Sequence, residues 1–194
     1  RLSKGFHDAL SDFRWLHKDL ASRPTRLYEL VPVAPSLVGA HDASGLGAGG
    51  VWLPGDNINH RALPLQTLNA QGTLISTIPS TPVPVVWRTP FPRQLAKTLV
   101  TFKNPSGSIT NSDLELAGGI IHDEASVQCF DVRERTTKSG TDNMATLYWN
   151  RKGSVTTDKA AAYLLRMRGI HQRYHRYLPL KDFQKLYQTL MYTN

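Results

Sequence analysis

The chain is nearly free of cysteine: Cys129 is the only one in 194 residues. That excludes a disulfide framework and any zinc site built from cysteines, and it suits a reducing compartment. No run approaches the ~18 consecutive apolar residues of a membrane-spanning helix. The N-terminus also lacks the apolar centre of a signal peptide. The expectation is an intracellular protein that enters no membrane. Acidic residues are scarce beside basic ones, 15 Asp and Glu against 23 Lys and Arg, for a net charge of +8. A basic excess attracts polyanions, so nucleic acid comes first among candidate partners, with a merely basic soluble protein as the plain alternative. The chain starts with Arg1, not Met, and reads as a piece of a longer protein.

What is present fits one α/β domain with an N-terminal extension. Phe6, Leu10, Phe13, Leu16 and Leu20 recur at spacings of three and four, an apolar stripe on one helix that ends at Ser22-Arg-Pro24. A connector punctuated by Pro24, Pro32 and Pro35 completes an extension over 1–36. The main domain is expected over 37–183, with a tail over 184–194. Within it, 37–44 and 50–53 read as strands joined by a glycine turn. Residues 54–84 hold five prolines, little charge and no periodicity, and read as an inserted loop. A third strand is expected at 85–88, a short helix at 93–101, a longer helix from Ser112 to about Ser126, and a strand from Arg133 to Ser139. A basic helix follows over 160–176, then a last strand over 177–180. Trp52, Trp87 and Trp149 are expected in the core.

Gly45-Leu-Gly-Ala-Gly-Gly50 matches the Gly-x-Gly-x-x-Gly dinucleotide signature. That signature needs a helix after the turn to face the pyrophosphate, whereas Val51-Trp-Leu-Pro54 is β-prone and stopped by proline. The glycines are better suited to a tight hairpin beside Asp42.

Three acids stand on separate elements, and each has a structural and a functional reading. Asp42 lies in the apolar strand Leu37-Val-Gly-Ala-His-Asp-Ala-Ser44. It is either a turn-initiating Asp or a carboxylate that needs a cation to be tolerated there. Glu115 follows Ser112 at the spacing of a capping box, with Asp113 suited to the helix dipole. Asp142, in Ser139-Gly-Thr-Asp-Asn143, is either a turn or cap residue or a third ligand.

Together these segments resemble the ribonuclease H domain of retroelement reverse transcriptases. The likeness covers 37–150, and 158–180 more loosely. Asp12-Phe-Arg-Trp-Leu16 through Glu29-Leu-Val-Pro32 resembles the connection from the polymerase part. The resemblance implies a ribonuclease H-like fold: a mixed five-stranded sheet, its first three strands antiparallel, flanked by helices. It implies catalytic and metal-binding roles for Asp42, Glu115 and Asp142, with two Mg²⁺ or Mn²⁺ ions. It also implies cleavage of the RNA strand of RNA–DNA hybrids and an upstream polymerase domain as partner. The family's fourth carboxylate has no counterpart after Leu180, where Asp182 is the nearest substitute. That departure favours an inert nucleic-acid-binding or scaffold module as the alternative. A transposase or integrase nuclease is a third reading, opposed by the polymerase-like connector.

Arg166-Met-Arg-Gly-Ile-His-Gln-Arg-Tyr-His-Arg-Tyr177 interleaves basic and aromatic residues. Arg166, Arg173 and Arg176 are candidates for phosphate contact, with Asn143 beside the acids as a further nucleic-acid contact. A solvated helix face is the plain alternative. His171 and His175 have a metal-ligand spacing, but the sequence shows no third ligand, and a phosphate-binding face is the preferred reading.

Overall fold

The computed structural model describes residues 3–24, 31, 33–61, 65–77, 81–156 and 159–180. Side chains along β1 (Leu37–Ser44) alternate, with Leu37, Gly39, His41 and Ala43 buried and Val38, Asp42 and Ser44 exposed. One face of the strand is thereby committed to the core. A two-residue turn at Gly45 and Leu46 returns the chain along β2 (Gly47–Pro54), antiparallel to β1, so no helix follows the glycines. Next come β3 (Leu65–Leu68), β4 (Leu74–Thr77), β5 (Val85–Pro90) and a 3-10 helix over Arg93–Lys97. After these lie α3 (Asn111–Cys129), β6 (Thr136–Gly140), α4 (Met144–Lys152), α5 (Ala160–His175) and β7 (Leu178–Pro179).

The result is an α/β fold with a mixed five-stranded sheet in the order β5-β2-β1-β6-β7. Strand β2 runs antiparallel to both β1 and β5, while β6 runs parallel to β1 and β7 parallel to β6. Helix α3 crosses β1 and β2, and α5 packs on α3. Leu37, Trp52, Ile58, Val85, Val127, Phe130, Val132 and Tyr177 form the main core, with Trp87 packed at its edge. Trp52 is fully buried in this core and Trp87 packs against it, as expected, whereas Trp149 is half-buried and joins neither hydrophobic cluster of the described residues.

Several expectations need correcting. The N-terminal stripe forms two helices, α1 (Lys4–Ala9) and α2 (Ser11–Ser22), interrupted at Leu10. Its apolar residues Phe6, Phe13, Trp15, Leu16 and Leu20 are exposed, because α2 is fastened by its acids instead. Buried Asp19 pairs with Arg23 and with Arg173 of α5, and Asp12 pairs with Arg166. The segment 54–84, expected as a loop, contains the β3–β4 hairpin. Asn69 turns that hairpin, its Oδ1 accepting from the N–H groups of Gln71 (3.1 Å) and Thr73 (2.8 Å). The helix expected over 93–101 is only the short 3-10 segment. Helix α4 was not anticipated as a separate element. Asn143 caps it by accepting from the Thr146 N–H at 3.0 Å, and Gly153 ends it in the left-handed conformation. Asp182 and the tail over 184–194 lie outside the described residues.

Candidate metal centre

Register brings the first two acids level. β1 and β6 pair in parallel with Leu37 opposite Thr137 and Ala40 opposite Gly140. The same offset continued past the end of β6 sets Asp42 beside Asp142. Both lie at the carboxyl ends of parallel strands, where open α/β sheets present their sites.

Glu115 reaches the same place from α3, and the reason lies in the cap. Two overlapping frames could start this helix, Thr110 with Asp113 or Ser112 with Glu115. The structure uses the first: the Thr110 hydroxyl accepts from the Asp113 N–H (3.2 Å), and Asp113 Oδ2 accepts from the Thr110 N–H (2.8 Å). The expected capping box at Ser112 is therefore displaced by two residues, and Glu115 is spared for another task. Its Oε1 accepts from the Ala43 N–H at 3.2 Å and its Oε2 from the Thr141 hydroxyl at 3.5 Å. The Ala43 N–H also meets Asp42 Oδ1 at 2.8 Å, so one strand amide serves two of the acids.

Close approach of α3 to the sheet makes this possible. Gly118 and Gly119 follow Glu115 on the same helix face. A Cβ on Gly118 would sit 3.2 Å from Ala43 Cβ and 3.3 Å from Ala48 Cβ. The absence of those side chains lets the helix settle on β1 and β2. At the far side of the site the Thr146 hydroxyl donates to the Ser112 carbonyl (3.0 Å), tying α4 to the first turn of α3.

One carboxylate oxygen from each of Asp42, Glu115 and Asp142 lies within 4.8 Å of the other two. Asp42 and Asp142 are exposed, while Glu115 is 2% exposed. Burial, then the hydrogen bond with Asp42 and the charges of Asp42 and Asp142, push the Glu115 carboxyl up to about 7. Such a cluster resists joint ionisation and is relieved by a cation. Its all-oxygen donor set suits hard divalent ions. The group can therefore hold a metal ion.

A consequence for stability can be measured without metal. The folded chain keeps the Glu115 proton that the unfolded chain releases near 4.5. Stability is then greatest below that value and is lost as pH rises to about 7, beyond which it levels. Urea midpoints against pH in chelator should show this fall in the wild type and not in Glu115→Gln. Identical curves would assign the slope to another group.

Behind the acids lie two histidines that the sequence did not flag. His41 Nδ1 shares a hydrogen bond with the Ser139 hydroxyl (3.1 Å), tying β1 to β6 next to Asp42. His122 stacks on Trp52 with ring centroids 3.9 Å apart, and its Nδ1 accepts from Trp87 Nε1 at 2.8 Å. Burial depresses both, His41 to about 4, so each imidazole is neutral beside the acids. The usable signal was spacing: His122 falls two helical turns after Glu115, on the face that meets the sheet.

The residues expected to hold nucleic acid are not gathered at this centre. Arg166 pairs with Asp12, Arg173 with Asp19, and Arg176 with Glu134 at 2.6 Å. The Asn143 side chain serves as the α4 cap. Among the described residues no fourth carboxylate joins the three acids. His171 and His175 do meet a third donor, Glu124 of α3, in a second cluster. The chain matches no family model, no curated protein and no solved structure.

Proposed function

We propose that this chain is a ribonuclease H-type endonuclease that cleaves the RNA strand of RNA–DNA hybrids, using Mg²⁺ or Mn²⁺ held by Asp42, Glu115 and Asp142. In this reading it is a ribonuclease H-like domain from an intracellular retroelement reverse transcriptase, with a polymerase domain as its covalent partner. The observation that carries it is the convergence of three acids, from β1, α3 and the turn after β6, to within 4.8 Å. These are the three positions assigned by the sequence resemblance, and nothing in their sequence separation requires them to meet. The net charge of +8 favours a polyanionic substrate.

Two bound ions would supply activation of the attacking water and neutralisation of charge on the leaving 3′ oxygen. The protein's own part is positioning. The Ala43 N–H holds Asp42 and Glu115 in register, and the Thr141 hydroxyl fixes the second Glu115 oxygen. Glu115 gives up its proton as a cation binds, so loading should be favoured above about pH 7. Asp42 and Asp142 face solvent, leaving the centre open to a duplex. Discrimination between the strands would rest on contacts to 2′-hydroxyls.

A second reading, an inert hybrid-binding module, is favoured by the absence of a fourth acid among the described residues. Cleavage of an end-labelled RNA–DNA hybrid in Mg²⁺ and then Mn²⁺ separates the two. The expected result is weak cleavage in Mg²⁺ and stronger cleavage in Mn²⁺, which binds such ligand sets more tightly. Hybrid binding without cleavage in either metal would establish the inert module. Cleavage confined to single strands, or to both strands alike, would remove the ribonuclease H assignment.

A further inference from the structure

Helix α3 carries a second set of donors to α5. Glu124 lies against His171 and His175, one turn apart on α5, and one ligand atom from each lies within 4.8 Å of the other two. Glu124 follows Glu115 by nine residues, about 13 Å along the helix axis at ~1.5 Å per residue. This cluster is therefore separate from the three acids.

His171 is held at both ring nitrogens: Nδ1 lies 3.0 Å from the Tyr177 hydroxyl and Nε2 lies 2.8 Å from Glu124 Oε2. In the tautomer whose Nδ1 donates to the Tyr177 oxygen, Nε2 presents a lone pair beside Glu124 Oε2, an arrangement that a shared cation would take up. The other Glu124 oxygen is already engaged, Oε1 accepting from Gln128 Nε2 at 2.8 Å. His175 stands beside His171 with ring centroids 4.4 Å apart.

We propose that Glu124, His171 and His175 form a zinc site with one coordination position open. Zinc takes imidazole nitrogen and carboxylate oxygen at about 2.0–2.2 Å in tetrahedral geometry, and two His with one Glu is a ligand set of open zinc sites. Tetrahedral ligands at that radius are about 3.3 Å apart, a spacing the three donors reach by small side-chain adjustments. Tyr177 on His171 and Gln128 on Glu124 are the outer hydrogen bonds that orient such ligands. Imidazole donors select zinc over magnesium, whereas the all-oxygen cluster does the reverse. The bound ion would clip α5 to α3. This proposal does not depend on the nuclease reading.

The test is calorimetric titration of the whole chain with Zn²⁺ in excess Mg²⁺ near neutral pH. One tight zinc per chain is expected, retained in Asp42→Asn. His175→Ala and Glu124→Gln should each weaken it by about 100-fold or more, since outer-shell partners alone are worth 10–100-fold. Co²⁺ in place of zinc should give the visible absorption of a four-coordinate ion, lost in His175→Ala. His175 takes no part in the Tyr177 contact, and circular dichroism checks that the variant folds. No zinc binding by the wild type, or equal affinity in wild type and His175→Ala, would overturn the site and leave a His171–Glu124 ion pair. Binding lost in Asp42→Asn but kept in His175→Ala would assign the zinc to the acids and overturn it equally.

Discussion

Asp42→Asn is expected to abolish hybrid cleavage while leaving the metal-free fold as stable as the wild type or more so. Asparagine keeps an Oδ1 that can accept from the Ala43 N–H, the bond that Asp42 makes at 2.8 Å. What it removes is a negative charge facing the buried Glu115 and, across the site, Asp142. Without metal that charge is a repulsive term, because it raises the energy of ionised Glu115. With metal it is a ligand. A metal centre supplies several kcal/mol of transition-state stabilisation. Each 1.36 kcal/mol is about tenfold in rate, so a loss on the order of 10³-fold is expected. Single-turnover cleavage in Mn²⁺ reads the first effect, and thermal unfolding in chelator reads the second. A variant that cleaves normally would remove Asp42 from the centre. A large fall in melting temperature would make Asp42 a structural hydrogen-bonding residue.

The parts of this molecule that were legible in the sequence are those decided locally. The apolar run at 37–44 and the β-prone run after the glycines were enough to find β1 and β2, although β2 begins at Gly47, three residues before its expected start. The start signal at Ser112 located the helix over 111–129 to within a turn. The three acids were visible because each interrupts a pattern that would otherwise be apolar or neutral. The cap of α3 was misread for a tertiary reason. Thr110 with Asp113 and Ser112 with Glu115 are equivalent frames by sequence, and the choice is made by Ala43 and Thr141, which engage Glu115.

His41 and His122 escaped notice because their burial depends on neighbours that have no side chain. A Cβ on Gly50 would lie 2.8 Å from His122 Nδ1, and one on Gly39 would lie 2.7 Å from His122 Nε2. Periodicity also misplaced the apolar stripe of α2. It has the spacing of a core-facing helix, yet α2 is held through Asp12 and Asp19, which pair with Arg166 and Arg173. Those same pairs engage two of the three arginines expected to contact phosphate. Charge complementarity between segments about 150 residues apart leaves no mark on local sequence.

Arg168→Ala is expected to have the largest effect on stability, about 3–5 kcal/mol. Arg168 of α5 is 5% exposed and Asp123 of α3 is 2% exposed, and Arg168 Nε donates to Asp123 Oδ2 at 2.7 Å. Burial by itself would make the guanidinium easier to deprotonate, but the charge and hydrogen bond of Asp123 outweigh it. Truncating Arg168 leaves a buried carboxylate without its cation, and the cost is mostly the stranding of that charge. The surface pair Arg166–Asp12 provides the internal control. Both of its side chains are nearly half exposed, 49% and 45%, so Arg166→Ala should change stability far less than Arg168→Ala. Urea unfolding of the two variants, with unchanged denaturant slopes, measures the contrast. Replacing both partners, Arg168→Met with Asp123→Leu, should recover much of the loss, since no charge is then stranded. A small effect of Arg168→Ala would mean that water reaches Asp123. In that case α5 is held on α3 by packing and the His171–Glu124 contact, and not by the buried pair.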